Sequence, residues 1–280
     1  MSDIQQRFIF EDAPIRGELI HIQDCYQTII NQRPYPPMVK HLLGEAIVAC
    51  LLVASSIKFK GRLTLQFQGD ERLPLIIVQA NDQLQVRAHA RFAPNIKNKY
   101  YAEAFLNGKM AFTFQQDNKT QAYQSLVPIH STAMSENLVY YFQQSEQIPT
   151  HVWLAVRDDV ACGMLIQAMP DNKNQIDQAS WDYALAMART LTDEELLQLN
   201  NTTILHRLYH ETTLRLFEPR RPEFACQCSE DKMKAVLKML GKEEIDQLIN
   251  ERGKVEIQCD FCNKNYQFDA IDVTLLFRDD

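Results

Sequence analysis

The sequence predicts an α+β fold in three parts: a large N-terminal domain of mixed strands and helices over residues 1–176, a helical linker over 177–222 and a small C-terminal domain over 223–280. Three observations carry this reading. Alternating apolar and polar runs lie beside long apolar runs in the first part, two breaker-rich stretches interrupt the chain, and four of its seven cysteines fall in the last part as two close pairs.

In the first part, Arg62-Leu-Thr-Leu-Gln-Phe-Gln68 alternates as a half-buried strand does, and Gly61 and Gly69 bracket it. Leu73-Pro-Leu-Ile-Ile-Val-Gln79 and Leu84-Gln-Val-Arg-Ala-His89 follow as its neighbours, with Met110-Ala-Phe-Thr-Phe114 and Val152-Trp-Leu-Ala-Val156 as further strands. Residues 42–57 and 136–147 read as helices. The most apolar stretch, 46–57, is shorter than the roughly 20 residues a bilayer span needs and has Glu45 at one end, so it reads as a buried helix.

Pro170-Asp-Asn-Lys-Asn-Gln175 is polar and rich in breakers, and it sets the first boundary. Beyond it, residues 180–189 have an Ala-rich helical pattern. Thr192-Asp-Glu-Glu195 then has the form of a capping box, opening a second helix at about Asp193. That helix carries Leu196, Leu199, Leu208, Tyr209 and Leu216 on one stripe, but also Asn200, Asn201, Thr202, Thr203, Thr212 and Thr213. Asn and Thr each cost about a few tenths of a kcal/mol against Ala in a helix, so the segment needs a neighbour to stay folded. The same stripe also fits permanent core. Glu218-Pro-Arg-Arg-Pro222 stops the helix and sets the second boundary.

The last part opens with Phe224-Ala-Cys-Gln-Cys-Ser229. Two short helices follow, at 230–240 and 242–250, closed by Gly241 and Gly253 in C-cap-like positions. Val255-Glu-Ile-Gln-Cys259 and Tyr266-Gln-Phe268 make a hairpin with Cys262 in its turn.

The net charge of −7 sets the whole molecule against phosphate backbones and anionic bilayers, so neither nucleic acid nor membrane is expected as a partner. Met1-Ser2-Asp3-Ile4-Gln5-Gln6-Arg7 has no basic n-region followed by an apolar stretch, and a cytoplasmic location is expected. There is no phosphate-binding glycine loop or dinucleotide fingerprint, and no serine, cysteine or carboxylate catalytic set is identifiable by spacing. We therefore expect no enzyme and no ATP-driven cycle.

Zinc favours four thiolates in a tetrahedron, supplied as close pairs from separate pieces of chain, and Cys226, Cys228, Cys259 and Cys262 meet that need for one ion per chain. So short a C-terminal part cannot build a large core, and the metal would supply much of its folding free energy. Two readings of the thiols stand side by side. A four-cysteine site is commonly a permanent structural one. Yet each pair is close enough in sequence to oxidise within itself, and a Cys-x-Cys disulfide closes a tight, easily reduced ring, which suits a reversible switch. Cys25, Cys50 and Cys162 lie in apolar surroundings and read as inert. His206 and His210 share a helical face without the Glu of a zinc protease and read as ordinary surface.

The cysteine-bearing tail, from Phe224-Ala-Cys226-Gln-Cys228-Ser229 to Val255-Glu-Ile-Gln-Cys259-Asp-Phe-Cys262-Asn-Lys-Asn-Tyr266, resembles the zinc domain of the heat-shock protein 33 family of redox-activated bacterial chaperonins. Further forward, Arg7-Phe-Ile-Phe-Glu-Asp-Ala-Pro-Ile-Arg-Gly-Glu-Leu19, Leu43-Gly-Glu-Ala46, Lys58-Phe-Lys-Gly-Arg-Leu-Thr-Leu65 and Tyr140-Tyr-Phe-Gln-Gln-Ser-Glu-Gln147 resemble that family's motifs in order. Asn263 stands where the family commonly has Gly, and Asn also tolerates a left-handed backbone. The segment Phe105-Leu-Asn-Gly-Lys-Met110 is less glycine-rich than is usual there.

The resemblance implies an ATP-independent holdase, inactive while reduced and zinc-bound and active once oxidised. It pairs Cys259 with Cys262 and Cys226 with Cys228 in disulfides. It also implies linker release, binding of unfolding client proteins, a homodimer when oxidised, and thioredoxin- or glutaredoxin-type reductants that reset the switch. Two rival classes would need other features. A zinc-ribbon nucleic-acid module would need a basic surface. A thiol-disulfide oxidoreductase would place Cys259 and Cys262 at the start of a helix, not in a hairpin turn.

Overall fold

The computed structural model describes residues 3–57, 59–94, 101–117, 121–169 and 177–278. The breaker stretch 170–175 and Lys58 therefore lie outside the described residues. The fold is α+β, and the chain divides into two compact units, Met1–Phe224 and Ala225–Asp280.

The first unit begins with β1 (Ile4–Phe10) and β2 (Ile15–Ile22), an antiparallel pair in which Phe8 faces Gly17. A Cβ at Gly17 would fall 2.1 Å from the Phe8 ring, so only glycine admits that ring. The short α1 (Asp24–Ile30) is held at its start by Asp3, whose carboxylate accepts from the backbone N–H groups of Gln23, Asp24 and Cys25 at 2.6, 2.9 and 2.7 Å.

Next comes α2 (Pro37–Ser56), with proline in its first turn, where a missing N–H costs nothing. It is longer than the sequence pattern indicates, and by length and composition it could cross a bilayer. Its apolar window is nevertheless 78% buried within the protein. The helix packs against strands of both sheets described below, so it is the central core element.

β3 (Gly61–Gln68), β4 (Leu75–Asn81), β5 (Gln85–Arg91), β6 (Lys109–Gln116) and β7 (Tyr123–Pro128) follow, with α3 (Tyr101–Phe105) before β6. α4 (Met134–Tyr141) runs on into a π-helical turn, Phe142–Glu146. β8 (Thr150–Arg157) and β9 (Val160–Ala168) then form an antiparallel pair.

Beyond the undescribed stretch lie α5 (Gln178–Ala188), α6 (Asp193–Gln198), α7 (Asn201–Tyr209), β10 (Leu214–Leu216) and β11 (Glu223–Phe224). One sheet has the order β10-β1-β2-β9-β8 and the other β11-β5-β4-β3-β6-β7.

The 193–216 segment is not one helix. Leu199 is extended, and Asn200 caps a new helix by accepting from the Thr203 N–H at 2.9 Å. Asn loses to Ala inside a helix but is among the best N-caps, so the chain restarts there. Leu216 leaves the helix altogether, in β10, where it lies opposite Phe8 of β1. Apolar side chains of α5, α6 and α7, among them Trp181, Leu185, Leu196, Leu205 and Tyr209, bury themselves against Phe8, Phe10, Leu19, Met164 and Ile166 of the five-stranded sheet.

Glu18 on β2 is buried at 1% exposure and accepts from Gln5 at 3.2 Å, from Arg7 at 3.4 Å and from the Ser55 hydroxyl. Burial pushes its carboxyl up to about 7, against the pull of Arg7 and of the hydrogen bonds. A carboxyl raised in the folded state binds its proton more tightly there than in the unfolded chain. Its stabilisation is therefore complete below the unfolded value of 4.5 and is lost as pH rises through about 7. Glu18→Gln is expected to flatten the fall in stability between about pH 5 and pH 8 by up to about 3 kcal/mol, as read from paired urea melts. Parallel pH profiles for the two proteins would refute this.

The second unit comprises α8 (Glu230–Leu240), α9 (Lys242–Arg252), β12 (Lys254–Gln258), β13 (Asn265–Asp269) and α10 (Ala270–Leu276). Ser229 caps α8, and Gly253, at φ 75°, ends α9 in the left-handed region. α10 goes beyond the sequence reading; Asp269 and Asp272 open it with a reciprocal capping box. The core here is small: Leu237, Ile245, Val255, Cys259, Tyr266, Phe268 and Val273 are its buried side chains.

Candidate metal centre

Cys259 sits at the end of β12, and Cys262 lies in the turn that leads to β13. Backbone hydrogen bonds close this turn, from Cys259 N–H to the Lys264 carbonyl and from Asn263 N–H to the Cys259 carbonyl, both at 2.9 Å. Asn263 has φ 61°, the left-handed conformation that Asn tolerates. Cys226 and Cys228 come from the non-helical segment before α8, with the intervening Gln227 carbonyl accepting from Lys232 Nζ at 2.5 Å.

The four Sγ atoms lie within 4.8 Å of one another. Cys226 is 3.7 Å from Cys259 and Cys228 is 3.3 Å from Cys262, so each close contact joins the leading segment to the hairpin. A zinc ion with Zn–S bonds of about 2.3 Å needs sulfur atoms about 3.8 Å apart at the corners of a tetrahedron, and the spacing here fits it. All four donors are soft sulfur, the set that selects zinc or iron–sulfur centres over hard cations. Among the described residues this is the only group of three or more metal-ligating side chains brought together.

Electrostatics favour a cation at this point. Burial opposes ionisation of Cys228, but hydrogen bonds from Tyr266 and the neighbouring thiols outweigh it and bring the group down to about 7. Burial raises Cys259 and Cys262. Four thiols so close cannot all ionise against their mutual repulsion without a positive charge among them.

Tyr266 has a place here that the cysteine spacing does not reveal. Its hydroxyl donates to Cys228 Sγ at 3.1 Å, and Lys264 Nζ lies 4.9 Å from its ring centroid. The signal was the alternation of β13, which turns Tyr266 and Phe268 to the inner face while their neighbours are exposed.

The remaining candidates stand apart from this cluster. Cys25, Cys50 and Cys162 are buried in the first unit, and burial raises all three, Cys162 to about 12. His206 and His210 are exposed on and just after α7, with ring centroids 6.1 Å apart, and although Glu211 lies 3.9 Å from His210, the described residues bring no three ligating groups together there.

The family model for Hsp33 protein matches residues 3–269. The 33 kDa chaperonin of Methylobacillus flagellatus is 36% identical over 278 residues, covering 99% of this chain and 95% of its own. That of Pseudomonas aeruginosa is 39% identical over 281 residues, covering 99% and 95%. Among solved structures, the 33 kDa chaperonin of Thermotoga maritima superposes with a TM-score of 0.86 over 99% of both chains at 24% identity, a likeness of fold.

Proposed function

This chain belongs to the Hsp33 protein family, a family of chaperones and not of enzymes, and from that premise we propose that it is an ATP-independent holdase switched on by oxidation of Cys226, Cys228, Cys259 and Cys262. The observation that carries the proposal is the convergence of these four sulfur atoms within 4.8 Å from two separate stretches of chain. Bound among them, zinc would keep the thiols ionised and tie the leading segment to the hairpin.

Oxidation by a peroxide balances as follows. One thiolate attacks a peroxide oxygen, giving a sulfenic acid, and the second thiolate of the pair attacks that sulfur and expels hydroxide. Two thiols and one hydrogen peroxide give one disulfide and two waters. The pairing carried over from the family is Cys226 with Cys228 and Cys259 with Cys262. Disulfide sulfur no longer offers the thiolates on which the tie depends, and the second unit's small core cannot hold it alone.

The linker, residues 177–222, is the part of the first unit best suited to release, because α6 and α7 are too short to persist without the sheet beneath them. Release would uncover the apolar side chains on both sides of that contact for unfolding clients. The oxidised form would pair as a homodimer, thioredoxin- or glutaredoxin-type dithiols would return the electrons, and the cytoplasm, which holds such reductants, is the compartment where the cycle would run.

The test combines zinc content, read with a chromogenic chelator, and light scattering of a heat-denatured client. Both are followed before and after warm peroxide and again after dithiothreitol with added zinc. About one zinc per chain should be released as protection of the client appears, and both changes should reverse. If zinc stays bound, or leaves with no gain in protection, the thiols are not the switch.

A further inference from the structure

The first unit contains a cavity of about 1000 Å³ that the chaperone reading does not use. It opens beside the C-terminal end of α2, where Ala54, Ile57 and Phe59 form an apolar wall. Its charged lining is Arg7, Arg16, Lys60 and Arg220 against Asp82 and Asp117, a cationic excess in a chain whose net charge is −7.

Three of these cations are available to a ligand. Arg7 is already engaged by Glu18 and by the Ser55 carbonyl. Arg16 instead binds a neutral acceptor, the Gln167 amide oxygen, with Nε at 2.9 Å. Gln167 is itself buried and fixed by donating to the Thr150 hydroxyl at 2.8 Å, so the guanidinium is held in place before any ligand arrives. Arg220 donates to the backbone carbonyl of Asp82, another neutral partner, and the Lys60 ammonium is exposed at the rim.

Arg16 comes from β2, Lys60 from the approach to β3, and Arg220 from the strap between β10 and β11, which pairs through its backbone with Gln5. Glu18 offsets part of the cost of desolvating the half-buried Arg16 guanidinium, but that carboxyl is shared with Arg7, and an anion in the cavity would offset the rest. With Arg7 engaged by Glu18, three cations from three elements stand against Asp82 and Asp117, so an anionic group is favoured only where it reaches the three cations together. The volume, at the upper end of small-molecule sites, admits a group long enough to do so.

We infer that this cavity binds a small molecule carrying a diphosphate group, with Arg16, Lys60 and Arg220 on its oxygens and the apolar wall beside the group it is attached to. Backbone loops of the phosphate-cradling kind are absent from the sequence, so the inference is of binding and not of hydrolysis.

The experiment is isothermal titration of the reduced, zinc-loaded full chain with inorganic pyrophosphate, ADP and adenosine in magnesium-free buffer. Zinc content is read in parallel, because diphosphates also chelate zinc. Pyrophosphate and ADP should bind saturably at one site with zinc retained, and adenosine should not bind. Lys60→Gln and Arg220→Gln, both at exposed positions, should each weaken binding about tenfold or more, whereas Lys242→Gln in the second unit should leave it unchanged. The inference is overturned if neither diphosphate binds at millimolar concentration. It is equally overturned if the heat follows zinc loss, if adenosine binds as well as ADP, or if the Lys60 and Arg220 variants bind like the parent.

Discussion

Replacing Tyr209 with Ala is expected to yield a reduced, zinc-loaded protein that already suppresses client aggregation. Tyr209 is 1% exposed at the end of α7, its ring edge-on to Phe10 at 4.9 Å and 6.4 Å from Phe8, and its hydroxyl donates to the Ala184 carbonyl of α5 at 3.0 Å. One side chain thus fastens two helices to β1. Truncating a buried aromatic costs about 3–5 kcal/mol, against about 5–15 kcal/mol for the net stability of a whole domain.

The loss falls on a segment with little to spare. α6 has six residues and α7 nine, both below the length at which isolated helices persist in water. The central helix α2 and the six-stranded sheet do not depend on Tyr209, so the expected result is local release and not global unfolding. Limited proteolysis should cut between residues 177 and 216 in the reduced variant, and light scattering should show protection without peroxide. His206→Ala, at an exposed position on the same helix, is the control and should behave as the parent does. A variant that is cut in this region yet protects no client would show that its release is not what creates the binding surface.

How much of this was legible in the sequence depended on which faces the fold covers. β3 was legible because it is buried on one side only, giving the alternation of Gly61–Gln68. β2 and β9 were not, because α2 packs against them within one core while α5, α6 and α7 fill the other. Eight of the nine β9 residues are buried, and a strand covered on both faces has no period of two to read. The break at Asn200 was foreshadowed by the residues themselves, since Asn and Thr prefer caps and strands to helix interiors.

The thiols were legible for the opposite reason. Their chemistry is carried by spacing along the chain, which needs no fold to be noticed. Tyr266 looked like any strand aromatic until the hairpin register placed its hydroxyl on Cys228. The basic cavity draws Arg7, Arg16, Lys60 and Arg220 from opposite ends of the first unit, and no local pattern links them.

Cys259→Ser is expected to abolish stable zinc binding and to leave the second unit unfolded even under reducing conditions. Cys259 is the most buried of the four thiols and the one that also closes the hairpin turn through its backbone. A serine hydroxyl stays protonated near neutral pH and is a hard, weak donor for a metal that sulfur sites bind well. Structural zinc contributes on the order of 10–16 kcal/mol to small domains, so losing one of four thiolates should weaken binding by roughly a hundredfold or more. The seven buried side chains of this unit's core cannot make up that deficit.

Three readings should move together: zinc per chain falls towards zero under mild chelator competition, amide resonances of residues 225–278 collapse to random-coil dispersion, and dithiothreitol with zinc no longer restores the resting state. Cys162→Ala, at a buried thiol of the first unit, should retain its zinc whatever it costs in stability. If Cys259→Ser keeps its metal and its dispersion, three thiols and the core suffice to fold the unit. Oxidation of one pair would then be unable to unfold it, and the proposed switch would lose its physical basis.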